Sequence, residues 1–413
     1  MFFSIIIPTR NRPSFVKNAI KSIVSQDFQD LEIIVSDNSS RSLSKDVKAI
    51  VYSYDDSRIR YIKPESELPM AEHWEWAIRQ GIGEYIGILT DRMVFKKNAL
   101  TKLSKVIKRY NPEVISYIWD AVLNDHPPYQ YSQHQYSNNV IKYYSSALIE
   151  VSRRSIFPHL LPRGLNTFCK KSFLEKLRET YGNVFASLSP DYYFCYIVLD
   201  YLESIYYFDA TLSISWGENV SNGANFTRGR MTKDVQDFLS FIKNQEGLCY
   251  APIPIKTDSF IAIPYNSFLN EYNYIASKQR SGRFKPLDKD SFYRKSLQRI
   301  QMLEFRFGLD MVNARELLEI YRRKNEIPLH YSLKMSQSGK LFKRIPFRLA
   351  LPFVGFLVGK LNLRIGLYDL KSLPKGKFTN IESILKFEEK HPRIPSLSYQ
   401  APAKNLKESF RIV

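Results

Sequence analysis

The first hundred residues repeat one pattern: a short β-branched apolar run, a cluster of turn-forming polar residues, then apolar residues at helical spacing. Phe3-Ser4-Ile5-Ile6-Ile7 ends at Pro8, and Pro13 to Ser25 places Phe15, Ala19, Ile20 and Ile23 on one helix face. Leu31-Glu32-Ile33-Ile34-Val35 is halted by Ser36-Asp37-Asn38-Ser39-Ser40, a cluster that turns the chain. Arg58–Tyr61–Ile62 and Tyr85-Ile86-Gly87-Ile88-Leu89 read as a third and a fourth strand, with a helix over Trp74 to Gln80 between them. Runs that are apolar on both faces suit strands covered by helices on either side. The alternation therefore predicts an α/β fold with a Rossmann-like, mostly parallel sheet. In such sheets ligands lie at the carboxyl ends of the strands. Pro8-Thr9-Arg10-Asn11, Ser36-Asp37-Asn38 and Thr90-Asp91-Arg92 converge there and are the nucleotide-binding candidates. Asp37 can accept from a ribose or a base N–H, and Thr9, Arg10 and Asn11 offer donors. The same residue types form turns with no ligand.

Further along, residues 110–165 are rich in Tyr, His, Pro and Asn and read as largely irregular. Helices are predicted over Leu174–Tyr181 and Asp191–Leu202, a strand near Ser204–Phe208, and one long amphipathic helix from Asp290 to Lys324. The 413 residues suit two or three domains. The boundaries are placed at 1–235, 236–395 and a loose tail over 396–413. Charge supports the division: residues 1–240 hold 29 Lys and Arg against 26 Asp and Glu, whereas residues 241–413 hold 31 against 15. A basic half suits phosphates, nucleic acid or an anionic membrane face. No RRM, KH or helix-turn-helix pattern accompanies it, so nucleic acid is not an expected partner. Three distant cysteines form neither a disulfide framework nor a metal knuckle. No positive leader or spanning apolar stretch is evident. The expectation is a cytoplasmic protein, peripheral at the inner face of a membrane. Eleven apolar residues, Leu349 to Gly359, flanked by Lys343, Arg344, Arg348, Lys360 and Arg364, make residues 340–365 the candidate contact with anionic lipid.

Ser4 to Pro13, Ser25-Gln26-Asp27, Leu31 to Ser40, Asp56 to Tyr61, Pro69 to Trp74 and Gly83-Glu84-Tyr85-Ile86 together closely resemble the opening of the inverting, GT-A-fold glycosyltransferases of family 2. The resemblance covers about residues 3–105 and extends less closely to 230. It implies a GT-A domain followed by a mainly helical C-terminal domain. The implied reaction transfers sugar from a nucleotide diphosphate sugar, a UDP-sugar by preference, to a glycan or lipid-linked glycan in cell-surface polysaccharide or glycoconjugate synthesis. Thr9, Asn11 and Asp37, with Arg10, would hold the nucleotide. Family members place a carboxylate base at the start of a helix about 100 residues after the metal motif. Asp191 matches that position, with Asp200 and Glu203 behind it. Trp216, in the stretch Ser215 to Gly223, would contact sugar or acceptor. Family members also end the fourth strand with a DXD-like run that holds Mg²⁺ or Mn²⁺. Here that run reads Thr90-Asp91-Arg92-Met93, which leaves Asp91 as a lone metal ligand and Arg92 as the alternative that substitutes for the cation. A nucleotide-sugar-binding protein with weak or no catalysis is the alternative, and a basic nucleic-acid-binding protein the second.

Overall fold

A computed structural model describes residues 1–122, 127–187, 189–216, 221, 236, 266–308, 310–328, 370–372, 378–396, 401, 406 and 409–413. The N-terminal alternation becomes β1 (Phe3–Thr9), α1 (Pro13–Val24), β2 (Leu31–Asp37), α2 (Arg41–Tyr52), β3 (Ile59–Ile62), α3 (Met70–Ile78) and β4 (Tyr85–Ile88). Every residue of β1 and β2 is buried, as strands covered on both faces must be. Helix α1 starts with Pro13, whose fixed φ and missing N–H suit a first helical position, and it buries Val16, Ala19, Ile20 and Ile23.

The chain continues through β5 (Met93–Phe95), α4 (Ala99–Tyr110), β6 (Val114–Val122), β7 (Tyr131–His134), β8 (Val140–Tyr144), α5 (Ser145–Arg153), β9 (Thr167–Lys170), α6 (Lys171–Tyr181), α7 (Pro190–Tyr201) and β10 (Ser204–Ser215). Among the described residues the sheet runs β12-β8-β10-β6-β9-β4-β1-β2-β3, with β11 (Leu370–Ser372) and β12 (Phe410–Ile412) from the C-terminal part. It is parallel through β4-β1-β2-β3 and between β6 and β10, while β9 pairs antiparallel with both β4 and β6. The parallel strands bring their carboxyl ends to one edge. Thr9 sits opposite Asp37 there, and Asp91 follows just beyond β4.

Three expectations need correction. Residues 110–165 are not largely irregular, because they hold β6, β7, β8 and α5. Tyr117, Trp119, Tyr131 and Tyr143 lie in those strands, where aromatic residues pack well, so a tyrosine-rich composition here marks strands and not loops. The predicted helix over 290–324 is two helices, Lys289–Phe307 and Val312–Lys324. Gly308 breaks it at φ 64°, the left-handed end cap that glycine adopts without steric cost. The tail is also not wholly loose. Phe410–Ile412 pairs with β8, Phe410 packs on Tyr143 at 5.4 Å, and Tyr110 donates to the Val413 carbonyl at 2.9 Å.

The boundary at 235 and the lipid-contact segment 340–365 lie outside the described residues. Helix Asn266–Lys278 nonetheless shares one core with α7: Leu269, Tyr272 and Ile275 join Tyr192, Tyr196 and Leu199 in the same buried cluster. A second fastening ties helix Ile381–Lys390 to the sheet. Fully buried Asp120 accepts from Lys96, Tyr131 and Arg393, while Glu388 accepts from Lys96 and Tyr131. Among the described residues no helix is long and apolar enough to cross a membrane.

Candidate functional site

The loops after β1 and β2 are stitched together by side chains that the sequence places 28 residues apart or more. Asn11 takes a left-handed conformation, φ 58°, which asparagine tolerates better than most residues. Its N–H donates to Ser39 Oγ at 2.7 Å, and its Oδ1 accepts from the Ser40 N–H at 3.0 Å. Asp37 is fully buried. One of its oxygens accepts from the Ser39 N–H at 2.9 Å and the other from the Tyr61 hydroxyl at 2.8 Å. Burial, and then that bond to Asp37, push the Tyr61 phenol well up. Asn38 exchanges two bonds with the Leu68 backbone and draws residues 65–69 toward the site. Arg10 pairs with Glu67 at 3.0 Å, and Pro8 lies within β1 opposite Ser36. His73 Nε2 meets Ser36 Oγ at 2.8 Å; burial pushes the imidazole down to about 4 despite the attraction of Asp37, so it is neutral near pH 7.

Beyond β4, Thr9 Oγ1 donates to Asp91 Oδ2 at 2.9 Å, and Arg12 stands 3.9 Å from Asp91 Oδ1. Burial raises the Asp91 pKa, while Arg12, Thr9 and Arg92 oppose that rise. Arg92 Nη1 donates to Ser215 Oγ at 2.8 Å and to the Trp216 carbonyl at 2.9 Å; the Trp216 N–H returns a bond to the Arg92 carbonyl at 2.9 Å. The β4–β5 turn is thereby fixed to the end of β10. Burial, then repulsion from Arg12, lower Arg92 to about 10; Arg163 adds to that repulsion, and Asp91 and Asp191 pull the other way.

Asp191 occupies the first turn of α7, behind Pro190. Arg163 stands 3.9 Å from it, and that guanidinium lies 4.8 Å from the Trp119 ring centre and 5.5 Å from that of Tyr192. Burial raises the Asp191 pKa; Arg163 leads the effects that hold it down, followed by backbone N–H groups of the helix start and by Arg92. A partly desolvated carboxylate beside cations can accept a proton from an approaching hydroxyl. The two runners-up are placed differently. Asp200 accepts from the Tyr181 hydroxyl and from the N–H groups of Arg280 and Ser281, and Glu203 is exposed beyond the end of α7. With about 1.5 Å of rise per residue, Asp200 stands some ~13 Å along the helix from Asp191.

Asp91, Arg92 and Asp191 are thus gathered at one edge of the sheet with Thr9, Asn11 and Asp37, Thr9 bonding Asp91 directly. Trp216 joins them through its backbone, but its ring meets Tyr129 edge-on at 4.8 Å. Arg12, Arg163, Tyr61 and Glu271 were not chosen from the sequence. Arg163 sits in the stretch read as irregular. Glu271 lies on helix Asn266–Lys278, fully buried, and accepts from Ser187 Oγ and the Ser189 N–H at 3.0 Å each. No local pattern links it to Asp191.

The donor set does not fit a divalent cation. Asp91 is the one carboxylate at the end of β4, and its two oxygens face the Thr9 hydroxyl and Arg12. Among the described residues no group of three or more His, Cys, Asp or Glu side chains is placed to hold a metal.

Residues 4–165 match the family model for glycosyl transferase family 2. The GalNAc(5)-diNAcBac-PP-undecaprenol beta-1,3-glucosyltransferase of Campylobacter jejuni is 39% identical over 104 residues, which are 24% of this chain and 32% of that protein. Glycosyltransferase GlyG of Streptococcus pneumoniae is 24% identical over 112 residues, 27% of this chain and 37% of that one. The chain thus spans about a third of the length of these two curated relatives. Among solved structures, residues 1–349 of Staphylococcus aureus TarS align with a TM-score of 0.42 and 13% identity, covering 78% of this chain and 92% of that one.

Proposed function

We propose, from the premise that residues 4–165 form a glycosyltransferase family 2 domain, that the protein transfers a sugar from a nucleotide diphosphate donor, with UDP as the nucleotide, and with inversion. The nucleotide lies across Thr9, Asn11, Asp37 and Asp91. Asp191 takes the proton of the acceptor hydroxyl as that oxygen attacks the anomeric carbon. The bond from that carbon to the β-phosphate oxygen breaks, and the nucleoside diphosphate leaves with the electron pair. The reading is carried by one observation: Asp191, at the start of a helix, lies within electrostatic reach of Arg92, which adjoins the loop where Thr9 bonds Asp91. That proximity supports reading the two groups of residues as one site. The acceptor is a glycan, lipid-linked in the form we favour. Support for it is the Campylobacter jejuni relative, whose name includes a PP-undecaprenol-linked glycan.

A thermal-shift screen of the full chain against UDP-, GDP-, dTDP- and CMP-sugars tests the donor site, since a ligand that binds the folded state raises its stability by about 2.7 kcal/mol at a hundredfold excess over Kd. A shift with UDP-sugars that weakens in Asp37→Asn is expected. No shift with any nucleotide contradicts the reading.

A further inference from the structure

We infer that the guanidinium groups of Arg12 and Arg92, rather than a divalent cation, neutralise the donor's diphosphate. The inference rests on the reading of this edge as a nucleotide diphosphate site, and it departs from the metal that the family resemblance implies.

Charge and geometry at the end of β4 point the same way. Arg12, Arg92 and Arg163 gather there against two carboxylates, Asp91 and Asp191. Arg12 and Arg163 both repel Arg92, so an entering anion relieves that repulsion whereas a divalent cation adds to it. Asp91, the one carboxylate at the end of β4, is already engaged by the Thr9 hydroxyl at 2.9 Å and lies 3.9 Å from Arg12. Arg92 spends Nη1 on Ser215 and Trp216. That bond pair fixes the plane of the fork, and Nε and Nη2 keep donors for a ligand. A guanidinium held in this manner can grip phosphate oxygens in two parallel bonds. Next to it, the buried Thr90 hydroxyl has no hydrogen-bond partner, which supplies one more donor at the same turn. As the sugar–phosphate bond breaks, its electron pair stays on the β-phosphate oxygen. Fixed guanidinium donors meet that charge without reorganising.

Calorimetric titration of the full chain with UDP, and separately with uridine, is the test, run in EDTA, in Mg²⁺ and in Mn²⁺. UDP affinity is expected to agree within about threefold across the three media. Arg92→Ala and Arg12→Ala should each weaken UDP about ten- to a hundredfold, the scale of a lost charged hydrogen bond, and leave uridine unchanged. Arg92→Lys, which keeps the charge, covers the case in which the alanine variant fails to fold, and it should fall between the two. UDP binding that appears only with Mg²⁺ or Mn²⁺, or that is untouched in Arg92→Lys and both alanine variants, overturns the inference. Loss of UDP and uridine binding in every medium, wild type included, overturns the nucleotide site itself and the inference with it.

Discussion

The Arg163 guanidinium stands 3.9 Å from the Asp191 carboxylate and lies over both the Trp119 and the Tyr192 rings. The pairing bears on the role of base proposed for Asp191. Burial favours the protonated acid, and the cation beside it favours the carboxylate that a base must be. Removing the cation leaves burial unopposed from that side, so the pKa of Asp191 rises. Turnover of the sugar nucleotide selected by the thermal-shift screen should therefore lose its acid limb at a higher pH in Arg163→Gln than in wild type. Arg163→Lys should restore part of the difference. Coincident pH profiles for all three proteins would assign Arg163 to packing alone.

Glu271 acts on the same helix from outside the family-matched residues. Its carboxylate fixes the backbone of Ser189, the residue before Pro190, and the hydroxyl of Ser187, which itself has a positive φ of 68°. Glu271→Gln retains one acceptor oxygen but loses the charge-assisted bonds, a change on the order of 1–3 kcal/mol in a buried setting. The expected signature is a lowered turnover number with unaltered nucleotide affinity, because Asp191 shifts while the donor loops do not. An equal loss of both would place Glu271 in general stability.

Acid sensitivity has a nameable source in His73. Its folded pKa of about 4 lies below the ordinary histidine value near 6.5 because the ring is buried. Between those two values the unfolded chain binds the proton and the folded chain does not. Stability is thus full above about pH 6.5 and falls as the pH drops toward 4, by about 3 kcal/mol from this residue. Urea unfolding of His73→Gln across that range should show a shallower acid loss than wild type. Parallel curves would mean that other groups carry the effect.

The extent to which the site could be read from sequence follows the range of the interactions. Strands β1, β2 and β4 and the turns after them announce themselves locally, since an apolar run followed by Thr-Arg-Asn, Ser-Asp-Asn or Thr-Asp-Arg is a pattern within ten residues. Thr9, Asn11, Asp37 and Asp91 are candidates for that reason, and Asp191 is one through its place after Ser189-Pro190 in the arrangement that the family resemblance implies. Arg163 earns its position only when a residue 28 before Asp191 meets it in space, and Glu271 only when it reaches back to Ser187 and Ser189 ahead of the same helix; neither sits in a periodic pattern. Strand β6 is masked by its own composition, because Ser116 and Asp120 interrupt the apolar run that marks a buried strand. Gly308 was equally quiet: buried Met311, Ala314 and Leu318 continue the helical spacing beyond the break.

The stereochemistry of donor turnover in wild type and Asp191→Asn is the most direct test of the account. The α-linked sugar nucleotide selected by the screen is followed by proton NMR as the full chain releases or transfers its sugar. The expected result is that the first-formed product carries the β configuration, that Asp191→Asn lowers the rate by about a hundredfold or more, as loss of a general base does, and that the variant binds UDP as wild type does. A first-formed α product, or turnover undiminished in Asp191→Asn, would contradict the assignment of Asp191 as the base of an inverting transfer.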